Sequence, residues 1–400
     1  MSGIGFFNVE NISNKNFLQK IHEEKQANEY EQFENDKKYK INTIENFQKK
    51  ILLINQKERS ENTSGNYTQK EECDRFLRDE FSKHGISFDR DCFSVDTINC
   101  IDSKKLNNFI INKYSPKSVF VFGDFSLKNV VGNVVGKKNT SIYLLRGWRI
   151  PDQNKKTWIC PMFDPEYVFF EKKREEILTT FRLDMLGAIE TSEKSFPDYS
   201  GWDNNIKTLY DDSSIMRVLS RVFSGEEGNS FSFNYKTNGI KPYGEGMKIV
   251  IVSLATERGA YSFLWNNNDY IKNLWIRLLR SPNIGKISHD MKFNDNWSKE
   301  ILKTDVRNWI WDTKLAAHVI DNRVGLTGLK MQTYLNFGIS TYDDSLDYWL
   351  KQIDEKDGNS INRIDDGLIK IGPSPFLRYS GIDSLFCFWL AKKQAENLND

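Results

Sequence analysis

Hydrophobic and polar positions alternate with period two in several stretches of the chain, and in others they recur every three to four residues. KKILLIN (49–55), CFSVDTINC (92–100) and SVFVFGD (118–124) read as strands. CDRFLRDEFSKHGI (73–86) and SKKLNNFIINKY (103–114) have helical spacing, the first stopping at Gly85. SIYLLRG (141–147) and TWICPMFDPEYVFF (157–170) follow. Strands separated by helices indicate a layered α/β domain with a mostly parallel sheet. Residues 176–228 are charged and helical, interrupted by SFPDYSGWDNN, and read as a connector.

A second pattern begins at residue 229. FSFNYKT, KIVIVSLAT and RGAYSFLW predict three consecutive strands joined by turns. DYIKNLWIRLLRS (269–281) predicts an amphipathic helix, GKISHD (285–290) a short strand, and KFNDNWSKEILKT (292–304) another helix. In RYSGIDSLFCFWLAKKQAE (378–396), Tyr379 and Asp383 are four residues apart and share one helical face. The expected organisation is a polar arm at 1–48, an α/β domain at 49–175, the connector at 176–228 and a second α/β domain at 229–400. No period of 20–50 residues marks a solenoid.

Composition narrows the class. With 39% hydrophobic and 13% aromatic residues over 400 positions, the chain can build two cores. The net charge of +1 does not announce a nucleic-acid binder, although a local basic groove fits inside a neutral total. The five cysteines form no C-x-x-C pair, which predicts reduced thiols. Neither a signal pattern nor an apolar run of membrane-spanning length is present, so the expectation is a soluble, cytoplasmic protein without a membrane partner. The Asn-, Lys- and Ile-rich composition hints at an AT-rich coding genome.

Five ordered blocks carry a resemblance. FNYKTNGIKPY with IVIVSLATERGAYSF, KISHDMKFNDNW, WDTKLAAHVIDNR, GLTGLKMQTYLNFGI and YSGIDSLFCFWLA together resemble the 3′–5′ exonuclease domain of family A DNA polymerases, across about residues 205–397. The resemblance implies a ribonuclease-H-like fold with a mixed sheet. It also implies two divalent ions roughly 3.5–4 Å apart, held by four carboxylates, activating water and stabilising the leaving oxygen. At the matching positions this chain has Asn234, Lys236 and Asn294 where the family has acids, while Asp383 and the water-positioning Tyr379 are kept. Two neutral side chains and one cation in place of three anions shift the local charge by about +4, and hard dications need anionic oxygen ligands. Metal binding is therefore expected to fail, with magnesium or manganese relevant only if exonuclease activity survives on Asp383 and Asp290. Asp290 and Asp295 are the candidate substitutes, Asp295 the poorer because one helical step turns a side chain by about 100°. Lys236 has two readings: an ion pair with Asp383 in the metal position, or a side chain directed to solvent.

Residues 49–170 bear a fainter resemblance to a uracil-DNA glycosylase, a three-layer α/β fold joined to exonucleases in some phage proteins. It rests on KKILLINQKERSEN, SVFVFGDFSLKNVVG, LLRGW and TWICPMFDPEYVFF. Asp164 and Glu166 stand where that family has His and Ser, Asn55–Ser60 lacks the water-activating loop, and Cys100 alone falls near an iron–sulfur ligand position. Two acids there repel phosphate, so base excision is not expected.

Among the remaining candidates, His289 reads as a packing or orienting residue. Trp265, Trp275, Trp309, Trp311 and Trp389 read as core, one or two being able to stack on single-stranded bases. The leading expectation is a noncatalytic replication-type protein of phage kind without a cofactor. Its expected partners are DNA, as a single strand or 3′ end, and a polymerase or other replication protein in trans. Two alternatives stay open: a residual metal-dependent 3′–5′ exonuclease on single-stranded DNA, and a protein-interaction module or inhibitor with no nucleic-acid role.

Overall fold

The computed structural model describes residues 51–55, 67–95, 103–135, 140–266, 268–340, 342, 346–350 and 362–399. The polar arm at 1–48, most of the 56–60 loop and Cys100 lie outside the described residues.

The chain forms two compact units. In unit 1 the strands β1 (Ile51–Asn55), β2 (Cys92–Val95), β3 (Ser118–Phe122) and β5 (Thr157–Met162) lie in the order β2-β1-β3-β5. Every neighbouring pair among these four is parallel. Helices α1 (Tyr67–Ser82), α2 (Ser103–Tyr114) and α3 (Gly123–Val135) occupy the crossovers, followed by α4 (Pro165–Phe170) and α5 (Glu175–Glu193). Residues 51–54 and 118–122 are buried throughout, as a parallel strand covered on both faces requires. Within SIYLLRG, Ile142–Leu145 is a single helical turn, because Arg146 and Gly147 end it at once.

Unit 2 holds Ile150–Asn154 and the chain from Phe196 onward. The short strand β4 (Ile150–Asp152) is part of it, its Asp152 accepting a hydrogen bond from the Tyr334 hydroxyl at 3.2 Å. The stretch 176–228, read from sequence as a connector, is divided: α5 is in unit 1, whereas β6 (Ile206–Leu209) and α6 (Asp212–Ser224) are in unit 2. The other strands are β7 (Ser230–Thr237), β8 (Ile249–Thr256), β9 (Gly259–Leu264), β10 (Gly285–Ser288) and β11 (Trp309–Asp312). The sheet runs β11-β10-β7-β8-β9-β6. β7, β8 and β9 are antiparallel, while β10, β11 and β6 add parallel strands, so the sheet is mixed as expected.

One face of this sheet buries Phe231, Phe233 and Tyr235 against α6, α7 (Asp269–Arg280) and α8 (Met291–Leu302). The opposite face is covered by the long helix α12 (Ser374–Asn399). α9 (Thr313–Ile320), α10 (Leu329–Phe337) and α11 (Ile364–Ile371) complete this side. Small residues let α12 lie close. Ser232 Oγ donates to the Ser384 carbonyl at 2.6 Å, and Ser253 Oγ exchanges hydrogen bonds with Ser384 Oγ at 2.7 Å and Ser380 Oγ at 2.8 Å. A Cβ on Gly381 would lie 2.9 Å from the Ile206 side chain, so glycine is needed for that approach.

Candidate functional site in the second unit

The side-chain alternation of β7 decides what reaches the cleft. Phe231, Phe233 and Tyr235 point into one core, which sends Asn234 and Lys236 to the face covered by α12. From α12, Tyr379 and Asp383 project onto the same region, one turn apart. The Lys236 Nζ lies 2.5 Å from Asp383 Oδ2 and 4.5 Å from the centre of the Tyr379 ring. Of the two readings of Lys236, the ion pair is therefore the one formed. The other carboxylate oxygen, Oδ1, accepts the Tyr342 hydroxyl at 2.7 Å. Both oxygens of Asp383 are engaged by donors.

Asn234, His289, Tyr379 and Asp383 line one cavity of about 460 Å³, together with the first turn of α10. His289 Nδ1 pairs with Thr313 Oγ1 at 2.9 Å, and desolvation pushes the imidazole pKa down to about 4. It is a neutral ring near pH 7, held by a hydroxyl, in keeping with the packing role read from sequence.

Asn294 does not join this cavity. It is fully buried, accepting from the Tyr235 N–H at 3.1 Å and donating to Ser288 Oγ at 2.6 Å, so it ties α8 to β7 and β10. The proposed substitutes also fail to converge. Asp290 caps α8 by accepting from the Phe293 N–H, in a left-handed backbone conformation (φ 72°), and pairs with Lys314 at 2.6 Å. Burial works against its ionisation, yet Lys314 prevails and holds the carboxyl below the ordinary carboxylate range. Asp295 pairs with Lys299 at 2.7 Å. Both line a different groove of about 780 Å³ beside Trp309, at the edge strand β11. Asp290 as a replacement ligand for Asp383 is corrected by this placement: its carboxylate lines that groove, not the Asp383 cavity.

The fit to divalent ions is poor on the donor chemistry alone. One carboxylate faces the cavity, already bound to an ammonium and a phenol, and its neighbours are a carboxamide and a neutral imidazole. Among the described residues no group of three or more His, Cys, Asp or Glu is placed to hold a metal. Tyr342 is the participant that sequence reasoning missed. It lies 41 residues before Asp383 in a polar stretch without periodicity, and its ring packs on Tyr379 (5.8 Å) and Phe386 (5.6 Å).

In unit 1, Asp164 is the N-cap of α4, accepting from the Glu166 N–H at 2.8 Å with Pro165 at the first helical position. Gly123, at the carboxyl end of β3, needs its positive φ of 74°, and a Cβ there would sit 3.5 Å from the Asp164 side chain. Asn55 ends β1 opposite Phe122, and its buried carboxamide oxygen has no hydrogen-bond partner within the protein. Asn55, Gly123 and Asp164 thus lie at the carboxyl end of the parallel sheet, the usual ligand end of open α/β folds.

No helix among the described residues is long and apolar enough to cross a membrane. No curated protein matches the chain. Among solved structures, Escherichia coli RNase D is similar at 12% identity and a TM-score of 0.35, covering 48% of this chain and 44% of its own. Brucella melitensis NrnC gives 16% and 0.33, covering 43% of this chain and 74% of its own. The polymerase domain of Pol1 from M. smegmatis gives 11% and 0.34, covering 48% of this chain and 28% of its own. The chain thus spans less than half the length of that RNase D chain. Residues 208–398 match the model of the 3′–5′ exonuclease family, and unit 2 therefore carries an exonuclease-type domain of ribonuclease-H-like fold.

Proposed function

We propose that unit 2 is a noncatalytic nucleic-acid-binding module of replication type, working beside a polymerase supplied by another chain. The observation that carries this is the Lys236–Asp383 pair, an ammonium seated on the one carboxylate kept from the family's four. Phosphoryl hydrolysis by two metals needs anionic ligands to position the ions and generate hydroxide. Here a cation occupies that place, Tyr342 holds the remaining oxygen, and Asp290 and Asp295 are paired elsewhere. Removing acids also lowers the repulsion that a phosphate backbone meets, which favours retained strand binding. Unit 1 we read as a glycosylase-like domain that does not excise bases. Its parallel sheet and the Gly123 turn support the fold, and the use of Asp164 as a helix cap supports the inactivity.

The test is a nuclease assay on 3′-labelled single-stranded DNA with magnesium or manganese. The natural protein is run beside Asn234→Asp/Lys236→Glu/Asn294→Asp. A silent natural protein and a cutting restored variant support the reading. Metal-dependent cleavage by the natural protein that disappears in Asp383→Ala overturns it. Strand binding measured at two salt concentrations separates the module from a pure protein-interaction domain, which binds no DNA at either.

A further inference from the structure

The cavity beside Asp383 has the donor pattern of an anion site. Asp383 is the one carboxylate among its described lining residues, and Lys236 answers its charge. Lys330 also lines it, with its Nζ 5.3 Å from the centre of the same Tyr379 ring that Lys236 approaches at 4.5 Å. Two ammonium groups thus flank one aromatic ring, with the Asn234 carboxamide on the same wall. The wall is open at Gly328, where an added Cβ would meet nothing within 4 Å. A volume of about 460 Å³ is in the range of sites that enclose small ligands.

We propose that this cavity binds a terminal phosphate monoester at the 3′ end of a single-stranded nucleic acid, held directly by Lys330, Asn234 and Tyr379 without a metal ion. The inference rests on the reading of unit 2 as a nucleic-acid module and names the group that its site takes. A site of four carboxylates reaches phosphate only through bound dications, whereas a site of ammonium and amide donors contacts the oxygens itself. A terminal monoester carries close to two negative charges near neutral pH and an internal diester carries one. Attraction to a fixed ammonium scales with that charge, so the terminal group is preferred.

The experiment is fluorescence anisotropy with the full chain and one oligodeoxynucleotide sequence bearing a 3′-phosphate, a 3′-hydroxyl, or a 5′-phosphate with a 3′-hydroxyl, all in EDTA. The 3′-phosphate form is expected to bind about tenfold tighter, a difference of about 1.4 kcal/mol, with no gain on adding magnesium. Lys330→Ala is expected to abolish the preference without changing 3′-hydroxyl binding, and Lys330→Arg to keep it. Equal affinities for all three strands, unchanged in Lys330→Ala, overturn the phosphate site while leaving strand binding intact. An equal gain from the 5′-phosphate overturns the assignment to the 3′ end. A preference that needs magnesium overturns the metal-free contact. Failure to bind any strand overturns the nucleic-acid reading as well.

Discussion

Tyr342 donates its hydroxyl to Asp383 Oδ1 at 2.7 Å while Lys236 holds Oδ2 at 2.5 Å, so one carboxylate is gripped from both oxygens by groups 106 residues apart in sequence, at positions 236 and 342. Neither donor can be replaced by a dication unless its hydrogen bond is broken. Inactivation at this position is therefore structural as well as compositional.

Restoring the acids in Asn234→Asp/Lys236→Glu/Asn294→Asp is expected to create manganese binding that the natural protein lacks. Tyr342→Phe in that background frees Asp383 Oδ1. A hydrogen bond to a charged group contributes roughly 1 kcal/mol or somewhat more, so affinity should rise about five- to tenfold. Calorimetric titration reads this directly. An unchanged dissociation constant on adding Tyr342→Phe shows that the phenol does not compete with the ion.

The Lys236 and Asp383 side chains are 16% and 8% exposed. Removing one member of such a pair leaves a charge in a poorly hydrated place, at a cost of roughly 2–4 kcal/mol. Lys236→Met should therefore lower stability in urea by about that amount. Lys236→Met/Asp383→Asn should recover most of it, because the carboxamide oxygen still accepts from Tyr342. Additive losses in the double variant would show that the two groups are not coupled.

A second buried acid anchors the opposite part of unit 2. The Glu227 carboxylate is fully buried, paired with Arg221 at 2.6 Å, and accepts from Thr256 Oγ1 at 2.8 Å and from the Tyr261 hydroxyl at 3.1 Å. Burial first, then the Glu227 charge beside it, pushes the Tyr261 pKa up to about 12. Glu227→Ala leaves three donors without their acceptor and is expected to cost roughly 3 kcal/mol. Strand binding in the folded variant should stay unchanged, since none of these residues lines the Asp383 cavity. A urea curve superimposing on that of the natural protein refutes the network's role.

Much of this geometry was legible in the sequence, and the exceptions have definite causes. Period-two alternation in FSFNYKT sends Asn234 and Lys236 to one face, and helical spacing brings Tyr379 and Asp383 together. Such local rules say nothing about the Asn294 rotamer, which is set by its hydrogen bonds to Tyr235 and Ser288 on two other elements. Asp290 looked like a ligand because it adjoins the second motif. Its left-handed backbone and N-cap role redirect it to Lys314, a partner 24 residues on. Tyr342 carried no signal because no repeating pattern surrounds it. β6 was hidden within a stretch that read as connector, since a four-residue edge strand with no fully buried side chain lacks the apolar contrast of β8.

The last expectation concerns pH. His289 has a pKa lowered to about 4 by desolvation, with Asp312, Asp383 and Asp290 opposing that shift and Lys314 adding to it. In the unfolded chain an unperturbed imidazole titrates near 6.5. Between these values the unfolded state binds more protons than the folded one, so stability rises with pH across the window and is lost as pH falls from about 6.5 to about 4. The loss from this group should reach roughly 2–3 kcal/mol at the lower end. His289→Asn, which keeps a polar partner for Thr313 but does not titrate, should flatten that part of the profile. Parallel urea midpoints for the two proteins from pH 7 to pH 4 would show that the imidazole is hydrated and titrates normally when folded.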